Sequence, residues 1–193
     1  MIETRNDYRS ERILLAAAEL GYIDIVSELA NPSEKMFYGK EKIVISPNAQ
    51  DGQALVNAAG NGHQSMVEYL IGKGVSPSAW DGQALVNAAG NGHQSMVEYL
   101  VGKGVSSDAQ DGLVLVSVAK NGDQSMLEYL IGKGVSADAH YGLALFFAAG
   151  NGNQSMVEYL IGKGADIELA FRTVQICGNV RAFQTLQQMR RRR

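Results

Sequence analysis

The sequence predicts an all-α solenoid of short helix–turn–helix repeats. The segment Asp51–Leu70 recurs without change as Asp81–Leu100, and degenerate copies begin at Asp111 and Tyr141, always 30 residues apart. Repetition of this kind is the signature of a stacked array. Glycine is the second indication, because the chain holds 22 glycines and only 3 prolines. Most of these glycines recur at fixed places in the copies, as structural punctuation would.

The order of residues within one copy predicts two helices and a turn. Residues 53–59 form a short alanine-rich helix that ends at Gly60-Asn61-Gly62, and residues 64–71 carry their apolar side chains on one helical face. Gly72-Lys73-Gly74 predicts a left-handed stop, after which residues 75–80 return to the next copy as a short finger. Two helices of this length cannot bury their apolar faces alone, so the copies must stack.

Two decayed copies flank the four clear ones. Residues 13–29 and 171–186 overlay the repeat, with Gly21 and Gly178 at the turn between the helices. Terminal repeats that depart from the pattern are typical of caps, since one face of each meets water. The predicted organisation is a capping repeat at 1–30, an insertion at 31–50, repeats at 51–80, 81–110, 111–140 and 141–170, a capping repeat at 171–189 and a basic tail at 190–193.

Composition and charge exclude several classes of protein. A single cysteine, Cys177, excludes a disulfide framework within the chain. The formal charge of −3 excludes a generally basic nucleic-acid binder, although residues 166–193 hold 6 basic and 2 acidic side chains. The polar opening residues do not resemble a signal peptide, and no apolar stretch reaches the roughly 18–20 residues of a membrane helix. We therefore expect a cytoplasmic protein.

The histidines of the repeat do not form a predicted metal site. His63 and His93 occupy the same place in adjacent copies. Packed helices lie about 8–10 Å apart, whereas zinc needs each nitrogen at about 2.1 Å. The next copies hold Asp123 and Asn153 at this place, and these residues suit a helix N-cap.

A thiol–imidazole pair is not predicted either. His140 lies in a finger and Cys177 on the turn between the two helices of the last repeat, at opposite ends of a short helix. A nucleophile needs its base within hydrogen-bonding reach. The sequence therefore predicts no enzyme, no small-molecule substrate and no cofactor.

The repeat resembles the ankyrin repeat in a specific set of residues. A pair of alanines is followed by a glycine and then by the pattern V-x-x-L-[LI]-x-x-G, here Ala58-Ala59, Gly62, Val67, Leu70-Ile71 and Gly74. The repeat is 30 residues long rather than the family's usual 33, and residues 53–56 replace its T-P-L-H motif, so the resemblance implies stunted fingers. Similar short repeats occur in ankyrin proteins of giant viruses and some intracellular bacteria, which favours an effector or adaptor directed at a host.

Positions that vary on a constant scaffold are the candidate binding residues. The resemblance implies that the fingers and first helices line a concave face that grips partners. Trp80 is the chain's only tryptophan and lies on a polar turn, a typical place for an interface anchor. The predicted partner-binding residues are Asn57, Trp80, Asn87, Gln110, Lys120, His140, Tyr141 and Phe147.

Structural roles for the aromatic candidates remain alternatives at this point. Trp80 or Phe147 could cover a junction between repeats, and Tyr141 together with Phe147 could pack on the C-terminal cap. The glutamates, tyrosines and lysines that are invariant across the copies, such as Glu68, Tyr69 and Lys73, are predicted to be scaffold.

The predicted function is a non-enzymatic protein-binding module that acts in the cytoplasm or in the cytosol of a host cell. The alternative is binding of nucleic acid or an anionic surface through Arg190–Arg193. Lysines and aromatic residues in the insertion offer a second predicted contact surface, and its run Ile43-Val44-Ile45 could instead pack on the first repeat.

Overall fold

The computed structural model describes residues 8–30, 37–38, 41–42 and 46–192. These ranges hold six consecutive pairs of helices. The helices are α1 (Tyr8–Leu20), α2 (Ile23–Ala30), α3 (Gln53–Gly60), α4 (Gln64–Gly72), α5 (Ala79–Gly90), α6 (Gln94–Gly102), α7 (Ala109–Asn121), α8 (Gln124–Gly132), α9 (Ala139–Asn151), α10 (Gln154–Gly162), α11 (Ile167–Cys177) and α12 (Val180–Arg191). Strands β1 (Phe37–Tyr38) and β2 (Glu41–Lys42) pair antiparallel, and a 3-10 turn (Ala49–Gly52) precedes α3.

The turn within each pair forms where the sequence places a glycine. Gly62 has a φ of 75°, and the amide of His63 donates to the carbonyl of Ala58 at 2.9 Å. The second helix then begins, and where the sequence supplies an acceptor its side chain caps the helix. The carboxylate of Asp123 accepts from the amide of Met126 at 3.0 Å, which confirms the predicted N-cap.

The second helix of each of the four full repeats (α4, α6, α8 and α10) ends at a left-handed glycine, as predicted. Gly74 has a φ of 90°, and its amide donates to the carbonyl of Ile71 at 2.9 Å. The amide of Val75 donates to Leu70 at 3.1 Å, which completes a Schellman motif. The finger that follows is a single hydrogen-bonded turn, in which the amide of Ala79 donates to the carbonyl of Ser76 at 3.1 Å. Fingers this short match the expected stunted form.

The described chain divides into two compact units. The first unit is Met1–Ala88 with Ser95–Val105, and the second is Ala89–Gln94 with Ser106–Arg193. Within the first unit, α1 packs on α3 and α2 on α4. Within the second, α9 packs on α7, α11 and α12. The core of each unit consists of the same small and branched side chains in successive repeats, such as Leu55 and Val67 in one and Leu115 and Leu127 in the other, all fully buried.

The N-terminal pair keeps a hydrogen bond of the turn that the full repeats form, and the C-terminal pair closes its turn with the amide of Gly178 donating to the carbonyl of Val174 at 2.8 Å. The amide of Tyr22 donates to Ala17 at 2.8 Å, as the amide of His63 does to Ala58 in the first full repeat. The C-terminal pair begins earlier than the sequence suggests. Asp166 caps α11 by accepting from the amide of Glu168, so the expected boundary at residue 171 falls inside this helix. Within the described ranges, no helix combines the length and the apolar character needed to cross a bilayer.

Candidate partner-binding surfaces

A left-handed turn precedes the first helix of the repeats and displays the variable side chains. Its residues have φ values of 53°, 53° and 77° at Gln110, Asp111 and Gly112, and His140, Tyr141 and Gly142 repeat the turn with 51°, 61° and 69°. Residues other than glycine seldom adopt this conformation, which costs roughly 1–2 kcal/mol for each. A backbone of this kind persists only where the surrounding structure imposes it.

Packing on the glycine of the turn supplies that constraint. A Cβ atom built on Gly112 would collide with the Cβ of Ala139, which lies at the start of the next first helix, and would come within 3.1 Å of Oδ1 of Asp108. In the first unit, a Cβ on Gly52 would lie 2.8 Å from that of Ala79. The turn is therefore a place where consecutive repeats approach closely, and glycine is needed there for both φ and space.

The residue directly before the glycine is exposed, and the residue before that is half-buried at Gln110 and His140. Tyr141 is 77% exposed, so it does not pack on the C-terminal cap. Trp80, in the equivalent turn of the first unit, is 53% exposed and has a φ of 54°. The rings of His140 and Tyr141 meet edge to face with centroids 5.9 Å apart. Large aromatic side chains on a fixed backbone are the kind of group that anchors protein interfaces, because little conformational entropy remains to be lost.

In the second unit, the first helices add a cation and a phenyl ring to this surface. Nζ of Lys120 lies 4.9 Å from the centroid of the Phe147 ring in the following repeat, a cation–π distance. Phe147 also meets Phe146 edge to face at 5.1 Å. The structure therefore brings together two predicted binding residues that are 27 positions apart in the sequence.

The first helices of the first unit are polar at the same positions. The amide of Gln53 donates to Oδ1 of Asn57 at 2.7 Å, and Gln83 donates to Asn87 at the same distance. The corresponding residues of the second unit are Leu113 and Leu143, both half-buried. Sequence reasoning missed these four positions, although the change from Gln to Leu between copies was a signal that could have found them.

The predicted binding residues thus fall into two sets. Gln110, Lys120, His140, Tyr141 and Phe147 belong to the second unit, and we call them, together with Leu113 and Leu143, the variable surface. Asn57, Trp80 and Asn87 belong to the first unit.

Family comparison identifies the repeats. A family model described as ankyrin repeats in three copies matches residues 13–111 and 85–170. The chain belongs to the ankyrin-repeat family. Ankyrin repeats are generally modules for protein–protein interaction and are typically not enzymes. No curated protein matches the chain.

The invariant side chains of the ankyrin repeats contact neighbours in their own helix. Nε2 of Gln124 donates to Oε1 of Glu128 at 2.7 Å, and Nζ of Lys73 lies 5.4 Å from the ring centroid of Tyr69. Burial raises the pKa of the Tyr69 hydroxyl. These are interactions between side chains four residues apart on a helix, which supports the scaffold role.

His63 lies in a contact between two repeats, and Cys177 lies at an exposed helix end. Nε2 of His63 contacts the carbonyl oxygen of Glu19 at 2.9 Å, and a Cβ on Gly21 would lie 2.7 Å from its ring, so His63 holds the N-terminal cap against the first full repeat. Cys177 is the last residue of α11 and is exposed. Among the described residues, no three metal-ligating side chains form a group.

The arginine run begins inside the last helix. Nε of Arg190 lies 3.1 Å from Oε1 of Glu168, and Nη1 of Arg192 lies 3.6 Å from Oε1 of Glu158. Cations are favourable at a helix C-terminus, so the described part of the run has neighbours within the protein. Arg193 and most of the insertion, including Ile43-Val44-Ile45, lie outside the described residues.

Proposed function

We propose that the chain binds a partner protein through the variable surface. The observation that carries this proposal is the exposure of Tyr141 on a left-handed backbone where Asp111 stands in the preceding repeat. Tyrosine is less suited than aspartate to this conformation, and the ring is exposed, so burial within the fold does not account for it. A function outside the fold explains why it is there.

The chemistry of the variable surface favours a partner segment with an apolar centre and negative charge. Tyr141 and Phe147 supply apolar area, and Leu113 and Leu143 extend it along the first helices. Lys120 is exposed, and its ammonium group lies above one ring. A carboxylate of the partner would then meet a cation already held in place, so that little side-chain entropy is lost on binding.

Trp80 is proposed as the anchor of a separate contact on the first unit. The other predicted binding residues of the first unit, Asn57 and Asn87, present amide groups rather than apolar area. A Trp80→Ala substitution is expected to weaken binding by more than ~1 kcal/mol if the ring is buried by a partner. Unchanged affinity with intact folding would remove Trp80 from the contact.

Substitutions that restore the residue of another repeat give a sharp test. Tyr141→Asp and Phe147→Ser introduce residues that the preceding repeat already carries on the same backbone, so both variants should fold. Partners captured on the wild-type chain from cell lysate, and then purified, should bind these variants at least tenfold more weakly by calorimetry, which is a loss of about 1.4 kcal/mol.

Leu127→Val is the matched control, because it restores the residue of the other repeats at a fully buried position of the second helix. A partner that binds Tyr141→Asp and Phe147→Ser as tightly as the wild type would contradict the proposal.

We further propose that the partner is a host protein and that the chain acts as an effector or adaptor in a host cytosol. The 30-residue length of its repeats, on which the expected resemblance to the short ankyrin repeats of giant viruses and intracellular bacteria rests, is what suggests this. Partners should be captured from a eukaryotic lysate and not from a lysate of free-living bacteria, with Tyr141→Asp as the negative control in both. Equal capture from the two lysates would contradict it.

A further inference from the structure

Two consecutive ankyrin repeats of the first unit carry the same amide pair on their first helices. Nε2 of Gln53 donates to Oδ1 of Asn57, and Nε2 of Gln83 donates to Oδ1 of Asn87, each at 2.7 Å. The fold does not need these pairs, because the second unit has leucine in place of both glutamines and serine or phenylalanine in place of the asparagines. The amide pairs are therefore candidates for binding a ligand.

The hydrogen bond within each pair decides what the asparagine can offer. Oδ1 of Asn57 accepts from the glutamine, so the NH2 group of this amide is turned away from the glutamine and can donate elsewhere. Asn87 is held in the same way. Both asparagines are half-buried, so part of each side chain remains accessible. Consecutive first helices thus each present one N–H donor at the same position.

The spacing of these donors follows from the stacking of the repeats. A Cβ built on Gly52 would lie 2.8 Å from that of Ala79, so the turn before α3 lies against the start of α5. Packed helices have axes about 8–10 Å apart. A polyproline II helix has three residues per turn and rises about 3.1 Å per residue, so its carbonyl groups recur on one side every ~9 Å. On one side of a β-strand they recur every ~7 Å. The spacing therefore matches a polyproline II helix.

The chemistry of a polyproline II segment also suits a row of donors. This conformation has no internal hydrogen bonds, so every main-chain carbonyl is open to an outside donor. Proline itself has no N–H group, and a proline-rich segment therefore offers acceptors almost alone. Asn57 and Asn87 supply the partial positive charge that these oxygens need.

An exposed aromatic ring lies at the same end of this helix. Trp80 stands three residues before Gln83, in the left-handed turn of the same repeat, and is exposed. Grooves that bind polyproline II segments are lined by aromatic side chains, because a flat ring packs well on the rigid pyrrolidine ring. Trp80 is therefore suited to cover a proline of the segment.

Exposed carboxylates flank the tryptophan and indicate the charge of the partner. Asp81 follows Trp80 directly, and Asp51 holds the equivalent place in the preceding repeat. Both aspartates are exposed, so charge complementarity favours lysine or arginine beside the proline-rich segment. The variable surface of the second unit offers the cation Lys120 instead. The two surfaces thus favour partner segments of opposite charge.

We propose that the first unit binds a proline-rich segment of a partner protein in the polyproline II conformation, next to a basic residue. Asn57 and Asn87 each donate to a main-chain carbonyl, one turn of the segment apart, and Trp80 packs on a proline ring. This inference rests on the proposed contact of Trp80 and gives it a ligand. It uses none of the residues of the variable surface.

A synthetic peptide of about nine L-prolines, three turns of the helix, is the first probe. Acetylated and amidated ends leave it without charge. Trp80 is the only tryptophan of the chain, so its fluorescence reports on this site. Titration should change the emission saturably, with a dissociation constant below about 1 mM, and the peptide of D-prolines, which has the opposite hand, should bind at least about tenfold more weakly. No saturable change, or equal binding of both hands, would overturn the proposal.

Aspartate substitutions separate the binding role of the asparagines from their role in the helix. Asn57→Asp and Asn87→Asp keep an acceptor for the glutamine four residues earlier but replace the N–H donor with an oxygen that repels a carbonyl. Each should raise the dissociation constant of the L-proline peptide at least about threefold, and the double variant at least about tenfold. Circular dichroism should show unchanged helix content.

Ser65→Asp is the matched control, because it adds the same charge at an exposed position of α4 in the same unit. It should leave the dissociation constant of the L-proline peptide unchanged. Unchanged affinity of the double asparagine variant, or an equal loss with Ser65→Asp, would overturn the proposal.

A peptide with one added lysine tests the basic neighbour. It should bind at least about threefold more tightly than the neutral peptide at low salt, and the gain should disappear as salt is raised. Asp51→Asn and Asp81→Asn together should also remove the gain, and asparagine tolerates the left-handed backbone at both positions. A gain that persists in this variant would overturn the basic part of the proposal.

A partner captured from lysate distinguishes failure of this inference from failure of the Trp80 contact. Both Trp80→Ala and the double asparagine variant should bind that partner at least about tenfold more weakly by calorimetry. Loss with Trp80→Ala alone, with the asparagine variant binding as tightly as the wild type, would overturn the polyproline II mode and leave the Trp80 contact in place.

Discussion

The turn at Gln110-Asp111-Gly112 and the turn at His140-Tyr141-Gly142 share one backbone but carry different side chains. Their φ values agree within about ten degrees at each position, and each glycine is approached by a residue of the next repeat, Ala139 in one case and Leu169 in the other. The backbone conformation is thus set by the junction between repeats, and it stays the same when the two residues before the glycine differ.

The glycine of the turn is required by the fold, whereas the residue before it is free to vary. Another residue would be strained at the glycine position, because the backbone there has a positive φ and a side chain of the next repeat lies close to it. The preceding residue is free to change from aspartate to tyrosine at a modest energetic cost, since neither is buried. Positions of this kind can vary between repeats without loss of the fold, which is where a binding surface can evolve.

The largest expected effect comes from breaking the constant part of the turn. Gly112→Ala should lower the free energy of unfolding by about 2–4 kcal/mol, because the left-handed conformation costs about 1 kcal/mol for alanine and the collision with Ala139 adds the rest. The midpoint and slope of urea unfolding measure this loss.

Gly132→Ala is the control for this prediction. Gly132 is the last residue of α8, and a Cβ there would have nothing within 4 Å. Alanine should raise stability by about 0.5–1 kcal/mol at this site, because glycine in a helix loses more backbone entropy on folding. Similar losses at the two glycines would refute the assignment of the turn as the junction.

Most of the fold follows from the sequence, because its glycines and caps act locally. Gly62 and Gly74 need positive φ, and Asp123 supplies a side-chain acceptor, so the ends of the helices can be predicted from neighbouring residues. The start of the last repeat was harder to predict, since Asp166 caps α11 directly, whereas the first helix of the preceding repeat follows a left-handed turn that ends at Gly142. The left-handed turn could not be predicted as a whole, because tryptophan and tyrosine rarely adopt it and only contact with the next repeat imposes it.

The residues of the candidate site could be predicted one by one from the sequence, but the contacts between them could not. Variation among copies pointed to Lys120 and Phe147 separately, and their contact depends on the stacking of α7 on α9. The Gln to Leu change at Leu113 and Leu143 passed unnoticed because both residue types are common in helices. The pairing of Arg190 with Glu168 likewise depends on the packing of α11 against α12.

A second, smaller effect concerns an asparagine that occupies the same position in different repeats. Nδ2 of Asn151 donates to the carbonyl of Lys120 in the preceding repeat at 2.9 Å, whereas Nδ2 of Asn61 donates to Asn57 of its own helix at 2.9 Å. Asn151→Ala should cost about 1–1.5 kcal/mol and Asn61→Ala about 0.5 kcal/mol. Equal losses in urea unfolding would show that the bond between repeats adds nothing.

A reciprocal exchange of Asp111 and Tyr141 tests whether the two turns tolerate the same residues. Tyr141→Asp should raise the free energy of unfolding by about 0.5–1 kcal/mol, and Asp111→Tyr should lower it by a similar amount, because aspartate tolerates the left-handed conformation better. Thermal and urea unfolding of the two variants measure both signs. Stabilisation by tyrosine at either turn would mean that its ring packs on the fold, and would weaken the proposed binding role of Tyr141.

The smallest effect belongs to the constant scaffold and appears only at high pH. Burial raises the pKa of Tyr69 above its ordinary value of 10.0, so the unfolded chain releases this proton before the folded chain does. The contribution of Tyr69 to stability is therefore complete below pH 10 and declines as the pH rises through the raised pKa. Tyr69→Phe should remove this part of the alkaline decline, and absorbance titration should lose one late-ionising tyrosine. An unchanged titration curve would contradict the burial of this hydroxyl. Tyr141→Phe is the matched control, because the side chain of Tyr141 is exposed.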